Sequence, residues 1–404
     1  MRLACEPAPR GLLTYKLLHP TATARKWTPY GSFTAIHLGL ALGMALARRV
    51  AMPAPRYLVI VNDKAGRCAL LADLETRLRA ALAPGEVEIL RSATPEEAES
   101  ATARARQRRY DAVIMVGGDG THHGVLDVLA GGETPLGLVP LGTANDLAAE
   151  HGIPSDLEAA CAIIREGCRT TIDLVRTQGK TFATAGGMGL CTDVALGVCE
   201  ARKRSRLFHA FMRLVGGAIY QLYLLFTVLF SRRLGYRFTL IDDGGEAREV
   251  EAYMALFMNQ AFLGQNFQAA PGANNRDGKL DVMLIKKVPG RRFERLGLLR
   301  TLATTLEGKH VGRPDVELLR AERIEVRSPT PVAFFADGEL VGTACRFEFK
   351  TLKRALPLLV PRERSIVTRV PARDLFASWS ASGKWDHTWS TTGSSSGRLP
   401  TAAA

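Results

Sequence analysis

Asp111-Ala112-Val113-Ile114-Met115-Val116-Gly117-Gly118-Asp119-Gly120-Thr121 is the stretch that decides the fold. Ala112 to Val116 is a continuous apolar run of strand length, as in strands buried on both faces. Three glycines around one aspartate follow it directly. Glycine lets a backbone approach a polyphosphate closely, and successive N–H groups can form an anion nest. Asp119 would face Mg²⁺ or the phosphates. Thr121 offers a hydroxyl where a helix would begin, and a helix N-terminus favours anions. Taken alone, the stretch also reads as an ordinary tight turn.

The next segment repeats the layout. Pro135 to Pro140 is a strand, and Leu141-Gly142-Thr143-Ala144-Asn145-Asp146-Leu147-Ala148 is a small polar loop opening a helix. Asn145 and Asp146 alone could be simple helix capping. Two such loops on successive strands converge on one crevice, at the strand ends where ligands gather in α/β sheets.

Upstream, Tyr57 to Val61 and Val87 to Leu90 read as further strands. Helical spacing runs from Cys68 to Leu82, and Thr94-Pro95-Glu96-Glu97 opens another helix with an N-cap candidate. Apolar strands alternating with helices predict a parallel α/β domain. From about Thr181 the texture becomes short strands: 237–241, 252–258, 280–285, 323–327, 332–336 and 345–349. Turns such as Asp242-Asp243-Gly244-Gly245 separate them, so a mostly antiparallel domain is expected. The chain divides into an N-terminal extension (1–55), an α/β domain (56–180), a β-rich domain (181–361) and a disordered tail (362–404). Translation starting at Met44 or Met52 is one reading of the extension, whose apolar stretch Phe33 to Ala47 is too short to span a bilayer.

The net charge of +13 lies largely in the flanks, since residues 1–50 carry +6 and 361–404 carry +3. No basic and aromatic interleaving marks the core, so no nucleic-acid partner is expected. Seven scattered cysteines without C-x-x-C spacing predict no disulfide framework or zinc site, and fit a reducing cytoplasm. The P-loop, H-E-x-x-H and protein-kinase motifs are missing from the sequence. His122 and His123 are adjacent and point about 100° apart on a helix, which makes them poor paired metal ligands.

The two glycine loops resemble those of the diacylglycerol kinase catalytic-domain family, which includes soluble bacterial lipid kinases and the sphingosine and ceramide kinases. The resemblance runs from about Arg56 to Pro361. Val61 to Gly66 stands where the family has an N-P-x-S-G-like loop, Gly117 to Thr121 matches G-G-D-G-T, and Pro140 to Ala148 matches P-x-G-T-x-N-D-x-A. Asp277 to Val282 matches D-G-x-L-D-V, and Asp337-Gly338-Glu339 matches D-G-E. The resemblance implies an NAD kinase/diacylglycerol kinase-like α/β domain followed by a mostly antiparallel β-sandwich. It implies a kinase using ATP and Mg²⁺ on a lipid alcohol. ATP would lie over Asn62, Asp63, Lys64, Ala65, Gly66, Gly117, Gly118, Asp119, Gly120, Thr121, His122, His123 and Thr143, with Ser92 at a nucleotide contact. Asn145 belongs to the same nucleotide loop, and Asp119 and Asp146 would help hold the catalytic Mg²⁺. Glu339, with Asp337 beside it, would be the general base. A structural Mg²⁺ would use Asn274, Asp277 and Lys279, the last through its carbonyl only. Read without the resemblance, Asp277-Gly278 and Asp337-Gly338 are turns.

Three departures from the pattern stand out. Asp63 replaces a proline, His122-His123-Gly124 follow Thr121, and Gln260 to Asn266 replace a glycine-rich stretch after Asn259. The last departure borders the expected acceptor pocket. Leu214 to Phe230 has no charged residue and is flanked by basic ones. It lies between motifs that must share one site, so it is read as a helix covering the lipid pocket or lying in the membrane interface. A purely buried core helix is the alternative. The enzyme would sit in the cytoplasm, peripheral at the inner face of the membrane. A homodimer through exposed sheet edges is a further expectation. Two rivals stay open: an NAD kinase-like enzyme, and a non-catalytic lipid- or nucleotide-binding protein.

Overall fold

β1 (Arg56–Val61) pairs in parallel with β2 (Glu86–Arg91) and with β3 (Ala112–Gly117), and β3 pairs in parallel with β4 (Leu136–Pro140). These strands come from a computed structural model that describes residues 53–62, 73–92, 94–142, 144–204, 218–231, 234–264, 267–288, 293–306 and 308–362. Every residue of β3 and β4 is buried. Helices cover both faces, which is why these strands read as unbroken apolar runs. The helices are α1 (Leu74–Leu82), α2 (Pro95–Gln107), α3 (Asp119–Leu129), α4 (Asp146–Glu150) and α5 (Leu157–Glu166). The expected cap of α2 forms: Thr94 accepts the Glu97 N–H at 3.4 Å, with Pro95 in the first turn.

The second half contains β5 (Arg169–Thr177), β6 (Lys180–Phe182), β7 (Ala185–Gly189), α6 (Leu190–Arg204), α7 (Ala218–Phe230), β8 (Tyr236–Ile241) and β9 (Ala247–Met258). β10 (Leu280–Lys286), α8 (Glu294–Leu306), β11 (Val316–Ala321), β12 (Arg323–Ala336) and β13 (Glu339–Leu359) complete it. Its strands pair antiparallel with one another, as the short runs separated by turns predict. Alternation also sorts the two faces. Ala255, Phe257, Val282 and Leu284 join an interior of Phe182, Phe238, Phe334, Phe347 and Phe349. Leu256, Met258, Met283 and Ile285 point the other way, against Val228 of α7 and Leu298 of α8. Phe257 and Phe349 stack with ring centres 4.0 Å apart, which anchors the inner layer.

Two expectations need correction. Residues 323–327 and 332–336 are not separate strands but parts of β12, whose register shifts between Arg327 and Val332. The intervening Ser328-Pro329-Thr330-Pro331 explains the shift, because proline has no N–H to give a ladder. The β-rich region also does not keep its last residues to itself. β13 runs 21 residues and bends where its register shifts between Leu352 and Leu356, with Arg354 in the left-handed region at φ 48°. Beyond the bend, Leu356, Leu358 and Leu359 enter the core of the α/β half. Leu358 pairs in parallel with Leu136 of β4. The end of β13 thereby closes an edge that β4 would otherwise leave unpaired. Both halves share one sheet of 13 strands. The extension 1–52, the tail after 362, the start of the Cys68–Leu82 helix and Leu214 to Gly217 lie outside the described residues.

Candidate active site

The two glycine loops touch. They leave adjacent strands, and the N–H groups of Leu141 and Gly142 both donate to the Gly117 carbonyl, at 3.0 and 3.1 Å. A methyl group on Gly142 would fall 2.3 Å from Gly118 Cα, so only glycine permits this approach. Thr121 holds the first loop from inside: its hydroxyl accepts the Gly118 N–H and the Asn62 side-chain N–H, each at 3.2 Å. Gly117 sits at φ 157°, and a methyl there would meet Thr121 Oγ1 at 2.4 Å. Asn62, at the end of β1, is thus tied to the loop after β3. Ser92, at the end of β2, lies on the same side of the sheet, with its N–H bonded to Val61 and its hydroxyl to the Thr94 carbonyl.

Asp119 and Asp146 link these loops to each other and to the β-rich half. Asp119 accepts the N–H of Asp146 at 3.0 Å and of Leu147 at 3.4 Å, so one loop caps the helix that the other opens. Asp146 is buried and accepts the Gly264 N–H at 2.5 Å, from the segment after β9. Asn145 takes a left-handed backbone at φ 54° and folds its own loop, accepting from Gly142 N and donating to the Pro140 and Gly142 carbonyls. Met115, Gly117, Gly118, Asp119, Leu138 and Asn145 line a small crevice beneath the loops.

Glu339 comes to this place from the far end of the chain. It is the first residue of β13, after a hairpin turn in which Asp337 (φ 48°) and Gly338 (φ 84°) are both left-handed, as a two-residue type I′ turn requires. Glu339 Oε1 lies 3.0 Å from where a methyl on Gly120 would sit, so its carboxylate stands against the first turn of α3. Asp337 does not stand beside it as a second free carboxylate. It is buried, and its oxygens accept the Ala183 and Thr184 N–H groups at 2.8 and 2.9 Å and the Thr184 hydroxyl at 2.6 Å. Asp337 therefore pins the turn that aims Glu339.

The loop assigned by resemblance to a structural cation lies directly before β10. Asp277 is ion-paired with the Arg320 guanidinium, and its other oxygen accepts the Lys279 N–H at 3.0 Å. Arg320 also approaches Asp281 at 3.5 Å, and burial raises the Asp281 carboxyl to about 6. The Asn274 carbonyl accepts the Arg276 N–H at 2.7 Å. The Arg320 guanidinium compensates the Asp277 carboxylate in this arrangement.

Asp63, Lys64, Ala65, Gly66 and Thr143 lie outside the described residues, as do the side chains of His122 and His123. Several anchoring residues escaped the sequence reading. Asp173 is fully buried in β5 and accepts the N–H of Gly278 and of Arg354, both at 2.6 Å. Asn275 and His151 meet at 3.1 Å in the interior, joining that loop to the end of α4. Asn259 donates to the Asp173 and Ala183 carbonyls. A lone acid inside Thr171-Ile172-Asp173-Leu174-Val175 was the available signal, since a buried carboxylate needs donors.

Comparison with known proteins agrees with this arrangement. Residues 56–177 match the family model of the diacylglycerol kinase catalytic domain. Residues 194–360 match the model described as the YegS C-terminal NAD kinase beta sandwich-like domain. A diacylglycerol kinase of Mycobacterium tuberculosis (strain ATCC 25618 / H37Rv) is 32% identical over 274 residues, covering 66% of this chain and 82% of the relative. One from Bacillus subtilis (strain 168) is 27% identical over 273 residues, covering 67% and 84%. A solved structure from Bacillus anthracis str. Sterne, described as a diacylglycerol kinase, superposes with a TM-score of 0.61 at 21% identity, covering 77% of this chain and 99% of that one. Two glycine loops in contact, a carboxylate delivered to them from a β-sandwich, and a 32% identical relative matched over most of its length have one explanation: this chain belongs to the diacylglycerol kinase catalytic-domain family.

Proposed function

We propose that this protein is an ATP-dependent lipid kinase, transferring the γ-phosphoryl group of ATP to the hydroxyl of diacylglycerol or a similarly built lipid alcohol. The observation that carries the reading is Glu339, a carboxylate held against Gly120 of the glycine loop although it lies more than two hundred residues away in sequence. The names of the relatives support the same reading.

The parts divide as phosphoryl transfer demands, since it depends on positioning and charge neutralisation more than on strong base chemistry. Gly117 to Thr121 and the Gly142 loop present backbone N–H groups and helix starts to the ATP phosphates. Glu339 accepts the proton of the lipid hydroxyl as its oxygen bonds to the γ-phosphorus. The bond from that phosphorus to the bridging β–γ oxygen breaks, and ADP leaves. Mg²⁺ bound with ATP would neutralise charge on the phosphates, and Asp119, whose oxygens hold the start of α4, is the nearest carboxylate in the loop to meet it. Asp337 and Asp146 act as positioning residues. The protein would work in the cytoplasm, peripheral to the membrane that supplies its acceptor. A second copy would pair along β2, β6 or β11, strands that each have a single neighbour, which gel filtration tests.

Radiolabelled ATP with Mg²⁺ and a panel of lipid alcohols in mixed micelles tests the reading, with Glu339→Gln beside the wild type. A labelled lipid formed by the wild type and lost in the variant supports it. Label appearing in NAD instead would move the protein to the NAD kinases, and ATP binding without transfer to any acceptor would favour a non-catalytic role.

A further inference from the structure

The exposed rings of Phe226 and Phe230 overturn the alternative of a purely buried α7. A surface of opposite character lies on the outer face of β12, β13 and β5, where the ladders set charges side by side. Arg323 pairs with Lys350, and Lys350 pairs on its other side with Arg176, so three cations stand in one row across three strands. The next row along β12 and β13 is Glu325 and Glu348, and the third is Arg327 and Arg346. Ile324, Val326, Phe347, Phe349 and Val175 between them are buried, so alternation turns these charges outward. Both carboxylates are committed. Glu325 accepts from Arg327 at 2.5 Å and from Arg346 at 2.9 Å, and those two guanidinium groups hold its carboxyl below the usual carboxylate range. Glu348 lies 3.5 Å from Arg323. Neither Arg176 nor Lys350 forms an ion pair among the described residues. Like charges directly opposite each other destabilise a sheet, so this pair favours an anion between its members.

A cleft of about 500 Å³ opens at the pair, lined by Arg176, Thr177, Gln178, Arg346, Glu348 and Lys350. That volume falls within the range of small-molecule sites, about 300–1,000 Å³. The turn between β5 and β6 closes one end. Gln178 and Gly179 are both left-handed, at φ 49° and 75°, and the Gln178 side-chain N–H donates to the Arg346 carbonyl at 2.6 Å. The turn is thereby fastened to β13. Arg176 is oriented as well: its Nε–H donates to the Thr181 hydroxyl at 3.3 Å, which leaves its two terminal nitrogens for a ligand. Thr177 lines the same cleft and is only 2% exposed, yet its buried hydroxyl has no hydrogen-bond partner among the described residues. Such a hydroxyl is costly unless something bonds to it, and a ligand oxygen in the cleft would supply the bond.

We propose that this cleft binds the phosphate dianion of a small soluble ligand, held between Arg176 and Lys350. The chemistry of the pair selects phosphate. A guanidinium fork matches its oxygens two at a time, an ammonium adds a point charge, and a phosphate monoester carries nearly two negative charges at neutral pH. The dianion neutralises the two cations that no carboxylate reaches. A lone phosphate fills only a small part of the cleft, which leaves room for an organic group. The cleft shares no residue with the glycine loops, and the proposal does not depend on the kinase reading. The same hairpin that borders the cleft leads directly to Ala183 and Thr184, the residues that hold Asp337 and so the turn carrying Glu339.

The test is calorimetric titration of the full chain, without ATP, with inorganic phosphate and with glycerol 3-phosphate. The wild type should bind, and bind less tightly as salt rises. Arg176→Gln with Lys350→Gln should raise Kd by at least about tenfold, because two charge-assisted contacts are lost. Binding at the glycine loops would be common to both proteins, so the difference between them reports the cleft. Lys350→Gln alone is a milder second variant, expected to weaken binding severalfold. Both side chains are exposed and lack an acidic partner, so without phosphate the variants' thermal midpoints should equal or exceed the wild type's, as repulsion between the pair is relieved. Tighter binding of glycerol 3-phosphate would assign the cleft to an organic phosphate, and equal binding of the two probes would assign it to free phosphate. Either result supports the site. Unchanged affinity in the double variant would overturn the proposal, as would a wild type that binds neither probe.

Discussion

Gly142→Ala tests whether the two glycine loops must touch. The added methyl would lie 2.3 Å from Gly118 Cα and 2.9 Å from Gly118 N. Carbon atoms rest at about 3.5–4.0 Å, so one loop would have to retreat by more than about 1 Å. Both neighbours are backbone atoms, so no side chain can swing aside. Asn145 Oδ1, which accepts the Gly142 N–H, would be 2.7 Å from the methyl and would lose its place as well. Gly142 is not in the left-handed region, so the substitution adds no backbone strain of its own. Overpacking of this kind costs about 1–3 kcal/mol of stability. A displacement of about 1 Å at a reacting centre costs roughly a hundredfold in rate. The assay is kcat and KM for ATP with a short-chain diacylglycerol, beside thermal unfolding. Gly272→Ala is the control, because its methyl would meet no atom within 4 Å. The expected result is a turnover loss of about a hundredfold for Gly142→Ala and none for Gly272→Ala. Unchanged turnover and an unchanged midpoint in Gly142→Ala would show that the loops do not depend on this contact.

Glu339→Gln should lower turnover by about 10²–10⁴-fold while leaving ATP affinity nearly unchanged, measured by kinetics and by nucleotide titration. Asp337→Asn should cost about 1.5–3 kcal/mol in urea unfolding, because an amide cannot accept all the donors that the carboxylate now satisfies. It should also depress turnover although Asp337 only aims the turn, and full activity in that variant would refute the positioning role. Burial pushes the Cys161 thiol up to about 12, so iodoacetamide at pH 8 should label exposed Cys345 and leave Cys161 unmodified until unfolding, as read by peptide mass. Burial also raises the Asp193 carboxyl, against a lowering by the Tyr236 hydroxyl that donates to it. The folded state therefore holds that proton more tightly than the unfolded state, and stability should fall as pH rises from about 4 through the raised value. Asp193→Asn should flatten this slope in chemical denaturation, and an unchanged slope would assign it to another group.

The α/β half was legible because its signals are local. A strand buried on both faces must be apolar along its length, as Tyr57 to Val61 and Ala112 to Val116 are, and a phosphate loop must be rich in glycine. The β-rich half was readable in part. Short apolar runs located β9 and β10, but the length of β12 and β13 was hidden, because prolines and bends break the pattern while the ladder continues past them. Asp337 shows the limit at the site. Its motif placed it beside Glu339, yet nothing local reveals that Ala183 and Thr184, some 150 residues earlier, occupy its carboxylate. Arg320 shows the same limit, since its pairing with Asp277 follows from the adjacency of β10 and β11.

By itself the sequence determined the apolar strands and the two glycine loops, since each is written in contiguous residues whose chemistry is local, and its five ordered motifs carried the resemblance to the family. Only the tertiary structure decided which acids are committed to holding the fold and that the last strand returns to β4. It also decided that α7 turns its rings outward. Those outcomes depend on which distant N–H groups, guanidinium groups and apolar faces meet, and chain separation carries no record of such meetings until the sheet has closed.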